Sequence, residues 1–192
     1  MTIDLITIGG SAGSLQVVME IIPLLRADLQ VPVVVVFHRK ATPQPEMLID
    51  LLDARTPLTI KEAEDKEVLK GGQVYIAPAD YHLLVETDGS LSLDISEKIN
   101  YSRPSIDLTF MTAADAYKDR LMAVILSGAN ADGMRGMEII KRQGGFCVAQ
   151  DPLTAQVAFM PSKAIAREVV DQIASPDEIA GIINLCRPSS RP

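Results

Sequence analysis

Three short apolar runs constrain this chain more than any other feature: LITI (5–8), VPVVVVF (31–37) and LMAVIL (121–126). None alternates apolar with polar residues, as a strand with one wet face would. Runs of this kind read as strands buried on both sides, the signature of a parallel sheet with helices on its two faces. Helix-like segments stand between them, including LQVVMEIIPLLR (15–26) and EMLIDLLDAR (46–55). Pro23 lacks the N–H that a helix ladder needs and is expected to end or kink the first. The pattern predicts an α/β fold, doubly wound, with a mostly parallel sheet.

The middle of the chain departs from that rhythm. QVYIAPADYHLLVETDGSLSLDIS (73–96) contains short β-rich pieces, and Asp88-Gly89 is a hairpin signal, so an antiparallel excursion set into the α/β frame is expected here. SRPSIDLTFMTAADAYKD (102–119) reads as a loop and then a helix, capped by Ser102 or Ser105. Near the end, Ser175, Pro176 and Glu178 have the spacing of a capping box with proline in the first turn. Residues 1–186 are read as one domain and 187–192 as a flexible tail.

The chemistry starts at LITIGGSAGS (5–14), where Gly9, Ser11 and Gly13 have the spacing G-x-S-x-G at a strand-to-helix turn. Such a turn can display a serine nucleophile, and a helix N-terminus behind it can hold either an oxyanion or a phosphate. A dinucleotide site would want G-x-G-x-x-G and an acid at the end of the second strand; the glycine spacing differs, and His38 stands where the acid belongs. No Gly-Lys-Ser/Thr follows, so a P-loop is excluded as well.

The chain has two histidines, His38 and His82, and a serine hydrolase needs one as its base. His38 ends the second apolar run; His82 lies in the antiparallel excursion, where its placement cannot be read from the sequence. Asp132, in the glycine-rich loop after the third run, is either the acid that orients the histidine or a turn or capping residue. Ser11, His38 and Asp132 each follow a candidate parallel strand, and sites in such sheets gather at the carboxyl ends of the strands.

With these residues in place, the chain resembles the catalytic domain of the CheB-type protein-glutamate methylesterases of chemotaxis. IGGSAGS resembles the nucleophile turn, FHRK the strand end that bears the base, and RPSIDLTF a segment beside the active site. KEAEDKEVLKGGQVYIAPADYHL, ILSGANADGMRG and FMPSKAIA complete the order of the family's motifs. The resemblance implies Ser11 as nucleophile, His38 as general base and Asp132 as orienting acid. It implies the backbone N–H groups of Ala12 and Ala129 as oxyanion donors, with Gly10, Gly13, Arg103 and Met160 in supporting or substrate-binding positions. The implied reaction is hydrolysis of glutamate γ-methyl esters on a chemoreceptor-like protein, with glutamine deamidation as a related activity.

No metal and no organic cofactor is implied. The chain departs from the family pattern at Ala12, Ser14, Ala129, Phe159 and the stretch Arg39–Gln44. Those departures motivate an alternative, a receptor-array binding or scaffold domain with little esterase activity. The net charge of −7 argues against nucleic acid, and Cys147 and Cys186 form neither a disulfide framework nor a metal-ligand spacing. With no leader and no apolar run of membrane-spanning length, the expected setting is the cytoplasm, without membrane insertion. The sequence shows no receiver domain, which leaves open a stand-alone form as well as a receiver in a fusion or on a separate chain.

Overall fold

The computed structural model describes residues 1–39 and 46–189. The altered stretch after Arg39, from Lys40 to Gln44, therefore lies outside the described residues, as do 190–192. In chain order the first half comprises β1 (Leu5–Gly10), α1 (Ser14–Ile21), β2 (Val33–Phe37), α2 (Glu46–Asp53), β3 (Thr59–Glu62), β4 (Gln73–Ile76), β5 (His82–Val85) and β6 (Leu91–Asp94). The second half comprises α3 (Ile106–Tyr117), β7 (Leu121–Ile125), α4 (Met134–Arg142), β8 (Phe146–Gln150), α5 (Phe159–Ala166), β9 (Gln172–Ala174) and α6 (Pro176–Asn184).

Seven of the strands form one parallel sheet in the order β3-β4-β2-β1-β7-β8-β9. The three apolar runs are its centre: Ile6 of β1 pairs with Val33 of β2 on one side and with Met122 of β7 on the other. Alternate side chains of these strands enter two separate cores. Ile6, Ile8, Val33, Val35, Met122 and Val124 pack under α1, α2 and α6. Leu5, Val34, Val36, Leu121, Ala123 and Ile125 pack under α3, α4, α5 and the β5–β6 hairpin. Both faces are thus dry, which is why the runs lack polar alternation.

The helix boundaries follow local chemistry. α1 gives way at Ile21 to a single 3₁₀ turn, Ile22–Leu24, that contains Pro23. Ser175 and Glu178 make both arms of the capping box that opens α6. Ser105, not Ser102, is the N-cap of α3, its hydroxyl accepting from the Leu108 N–H.

One expectation needs correction. QVYI was grouped with the antiparallel excursion, yet it is β4, a parallel strand of the main sheet between β3 and β2. Val74 and Ile76 fill one core and Tyr75 the other, while the Tyr75 hydroxyl is bonded to Gln73 Oε1 (2.7 Å) and the Lys70 N–H (3.0 Å). The polar ends of Gln73 and Tyr75 hid a strand that is buried on both sides. Among the described strands, β5 and β6 alone pair antiparallel, as a separate two-stranded sheet. Near the C-terminus, Arg187 exchanges backbone bonds with Met1 and Ile3, and Ser189 bonds Asp4 through its N–H and hydroxyl.

The winding reverses at β1. From β1 the chain moves to β2 on one flank, and later returns through β7 on the other. The crevice beyond the carboxyl ends of β2, β1 and β7 is therefore the sheet's topological switch point. Among the described residues, no helix is long and apolar enough to cross a membrane.

Candidate active site

Three loops meet at that crevice. β1 runs out at Gly10, and the chain turns through Ser11, Ala12 and Gly13 into α1. Gly13 has φ +82°, a left-handed conformation that a side chain would strain, and a Cβ there would meet Gln156 and Ser127 at 2.7–2.8 Å. At Gly10 a Cβ would strike Ser14 Cβ at 2.3 Å. Ser14 is wholly buried, and its hydroxyl closes the turn on the Ser11 carbonyl at 2.7 Å. The Ser11 N–H donates to the Ser127 carbonyl (2.9 Å), so the turn is clamped on both sides and the Ser11 side chain is left half-buried at the mouth.

His38 follows β2, its N–H donating to the Gly10 carbonyl at 3.3 Å. Its ring stands between the other two residues, with Nδ1 3.2 Å from Ser11 Oγ and Nε2 2.7 Å from Asp132 Oδ2. The imidazole is thus presented through Nδ1 to the serine and through Nε2 to the acid, the reverse of the usual triad arrangement. A carboxylate only accepts, so its bond to Nε2 calls for the proton there and leaves a lone pair on Nδ1, facing Ser11 Oγ.

Asp132 follows β7 and is 1% exposed, so an unpaired charge there would be very costly. It is not unpaired. Oδ2 accepts from His38 Nε2 and the Ile106 N–H, both 2.7 Å; Oδ1 accepts from Ser105 Oγ (3.0 Å) and the N–H groups of Asp107 (3.0 Å) and Gly133 (3.1 Å). The carboxylate sits on the N-terminus of α3, where exposed N–H groups and the helix dipole favour negative charge. Burial alone would raise its pKa, but the bonds from His38 and from the Asp107 and Ile106 N–H groups reverse this and hold it below the usual range. The turn-or-cap reading of Asp132 gives way here: Gly133 occupies the N-cap position of α4, and the Asp132 carboxylate serves α3 and His38.

The remaining residues implied by the resemblance fall around this relay. Ala12 and Ala129 are exposed at the crevice, and neither N–H is engaged by another described residue. Met160 is buried behind the loop after β7: its N–H donates to the Gly128 carbonyl at 3.1 Å, and its Sδ lies 1.8 Å from where a Gly128 Cβ would be. Arg103 lines an open cavity of about 210 Å³ with His38, Arg39, Asp80, Lys98, Tyr101 and Ser102. Two bonds of 2.8 Å from Arg103 Nη1 to the carbonyls of Ile95 and Ser96 hold it there.

His82 is not part of the relay. It is wholly buried, with Nε2 3.0 Å from the Glu97 carbonyl and Nδ1 accepting the Ser105 N–H at 3.1 Å. Its task is to seat Ser105, which in turn holds Asp132.

Four residues serve the site in ways their local sequence does not announce. Ser105 caps α3, and its hydroxyl also bonds Asp132. Buried Ser127 ties the Ala12 carbonyl (2.7 Å) to the Val157 N–H (2.9 Å), and buried Gln150 holds the Ser127 N–H (2.9 Å). Asn130 places its Nδ2 2.9 Å from His38 Nδ1. Asn130 alone carried a local signal: an Asn two residues before another loop residue can close an Asx turn.

A family model described as CheB methylesterase matches residues 6–183. A protein of Leptospira interrogans (strain Fiocruz L1-130), provisionally named protein-glutamate methylesterase/protein-glutamine glutaminase, is 46% identical over 180 residues, covering 94% of this chain and 93% of that protein. The Thermotoga maritima protein-glutamate methylesterase/protein-glutamine glutaminase is 39% identical over 172 residues, covering 88% of this chain and 50% of that protein. The crystal structure of the Thermotoga maritima CheB methylesterase catalytic domain superposes with a TM-score of 0.90 at 37% identity, covering 96% of this chain and 98% of that one.

Proposed function

The chain belongs to the CheB methylesterase family, and from that membership we propose that Ser11, His38 and Asp132 carry out its hydrolysis of glutamate γ-methyl esters on a methylated chemoreceptor. The observation that carries the assignment is the relay Ser11 Oγ–His38 Nδ1–His38 Nε2–Asp132 Oδ2, with spacings of 3.2 and 2.7 Å. Its members come from the ends of three adjacent strands of the sheet.

Ser11 Oγ attacks the ester carbonyl carbon while its proton passes to His38 Nδ1. The carbonyl π pair moves onto oxygen, and the N–H groups of Ala12 and Ala129 donate to that oxyanion. Asp132 stabilises the imidazolium through Nε2–H and keeps the ring oriented. Collapse breaks the bond to the methoxy oxygen, which leaves as methanol with the proton from Nδ1. Water then adds to the acyl-enzyme, giving a proton to Nδ1, and collapse returns that proton to Ser11 Oγ as glutamate departs. A glutamine side chain follows the same course with ammonia as the leaving group, the second activity in the names of the relatives.

Arg103 and its neighbours Arg39 and Tyr101 border the cavity beside His38, where the substrate chain flanking the ester would lie. Tyr101 is 98% exposed and free to pack against it.

The direct test measures methanol release from methylated receptor by the wild type and by Ser11→Ala. Loss of at least three orders of magnitude is expected in the variant. Equal rates would remove Ser11 from the mechanism, and receptor binding without turnover in either protein would support the scaffold alternative instead.

A further inference from the structure

The lone pair that His38 must offer to Ser11 already has another partner. Asn130 Nδ2 lies 2.9 Å from His38 Nδ1, closer than Ser11 Oγ at 3.2 Å. The identity of the Asn130 atom facing the ring is fixed from the other end of the amide. Asn130 Oδ1 accepts the Asp132 N–H at 3.0 Å, closing an Asx turn, so the NH₂ group must face His38. An NH₂ group only donates, and it can bond Nδ1 only while that nitrogen carries a lone pair. From the opposite side, Asp132 requires the proton on Nε2. Asp132 and Asn130, two residues apart on one loop, therefore specify the same tautomer of the same ring.

We propose that Asn130 is a positioning residue that latches the base: it holds His38 in the Nε2–H tautomer at rest and competes with Ser11 for the Nδ1 lone pair. The proposal rests on the triad assignment above. In the first step Nδ1 gains the Ser11 proton, and the Asn130 NH₂ then faces an N–H instead of a lone pair. The latch bond is thus present in the resting enzyme and absent in the intermediate. A ground-state bond lost on the way to the transition state slows the step by its net strength. For one hydrogen bond this is about a five-fold restraint, on the order of 1 kcal/mol. Displacement of the Asn130 amide, by substrate or by movement of the loop after β7, releases the base.

The test uses the full chain and a fluorophosphonate probe, which phosphonylates an activated serine without any receptor. Asn130→Ala is expected to raise the second-order rate of adduct formation about five-fold. Asn130→Asp keeps an oxygen for the Asp132 N–H, and so keeps the turn, but replaces the donor with an acceptor. It is expected to draw a proton onto Nδ1 and slow labelling at least ten-fold. A residue that merely shapes the loop would give the opposite order, with Asp tolerated and Ala harmful. In ¹⁵N-histidine NMR, the wild-type His38 should show a hydrogen-bonded lone pair at Nδ1 that shifts to the free value in Asn130→Ala, with His82 unchanged as an internal check of folding. Unchanged or slower labelling of Asn130→Ala, or a wild-type Nδ1 that carries the proton, overturns the latch. Loss of the triad assignment would look different: Ser11→Ala would still be labelled.

Discussion

Asp132→Asn is the substitution whose consequences can be worked out most fully. The wild-type carboxylate offers acceptors on both oxygens to five donors: His38 Nε2 and the Ile106 N–H at Oδ2, and Ser105 Oγ with the Asp107 and Gly133 N–H groups at Oδ1. An asparagine offers one acceptor oxygen and, in place of the other, an NH₂ group that only donates. With its NH₂ in the place of Oδ2 it confronts the Ile106 N–H, and His38 must turn its lone pair to Nε2. The proton then sits on Nδ1, where it blocks Ser11 and faces the Asn130 amide. With its NH₂ in the place of Oδ1 it confronts the N–H groups of Asp107 and Gly133, and the imidazolium loses its counter-charge. Either placement removes the base or its support, so kcat should fall by about 10³–10⁴, equivalent to ~4–5.5 kcal/mol of transition-state stabilisation. Each N–H left facing a donor should also cost about 1–3 kcal/mol of stability. Methanol release from methylated receptor gives the first quantity, and urea unfolding of the same sample the second. A folded variant with kcat within ten-fold of wild type would refute the relay as described.

Two further substitutions probe the support of the site. Gly128→Ala places a Cβ 1.8 Å from Met160 Sδ, 2.9 Å from Met160 Cγ and 3.0 Å from Ser11 Cβ. It should cost about 1–3 kcal/mol in urea unfolding and lower kcat, with Met160→Ala in the same chain restoring part of the activity by opening the space. Asp107 is 8% exposed; burial, opposed by its bond from the Gly136 N–H and reinforced by the charge of Asp132, pushes its pKa up to about 6. A folded-state pKa above the unfolded value means that the native state holds this proton more tightly. Its contribution is therefore fully present below about pH 4 and lost as pH rises through 6, by ~3 kcal/mol. Asp107→Asn should abolish that component of the pH dependence of unfolding between pH 4 and 7, and an unchanged slope would exclude Asp107 as its source.

The sheet was legible because its central strands are buried on both faces, and a run such as VVVVF has no competing interpretation once helices flank it. β4 was not, because Gln73 and the Tyr75 hydroxyl look polar in one dimension and are satisfied by each other only in three. The same limit divides the site. Ser11 and His38 sit on turns that their own neighbours announce, one by glycine spacing and the other by the end of an apolar run. Ser105 and Asn130 act on atoms far away in sequence: Ser105 reaches Asp132 across 27 residues and Asn130 reaches His38 across 92. No local pattern records such distances.

The placement of negative charge shows how the fold, and not the triad alone, prepares the site. Asp132 and Asp107 are both buried and close enough for the charge of one to raise the pKa of the other. Each also serves the other's helix. Asp132, at the entry to α4, receives N–H groups from the first turn of α3; Asp107, in that first turn, receives the Gly136 N–H in the first turn of α4. The exchange depends on close approach of the two helices, for a Cβ on Gly136 would meet Phe110 Cβ at 2.4 Å. It is not symmetrical. Asp132 collects a ring N–H and a hydroxyl in addition to backbone donors, whereas Asp107 has backbone N–H donors from the start of α4, Gly136 foremost, and the repulsion of Asp132. The environments drive the two pKa values apart, Asp132 down and Asp107 up. As pH falls, Asp107 therefore takes up a proton first, which relieves the repulsion and leaves the charge on the carboxylate that holds His38.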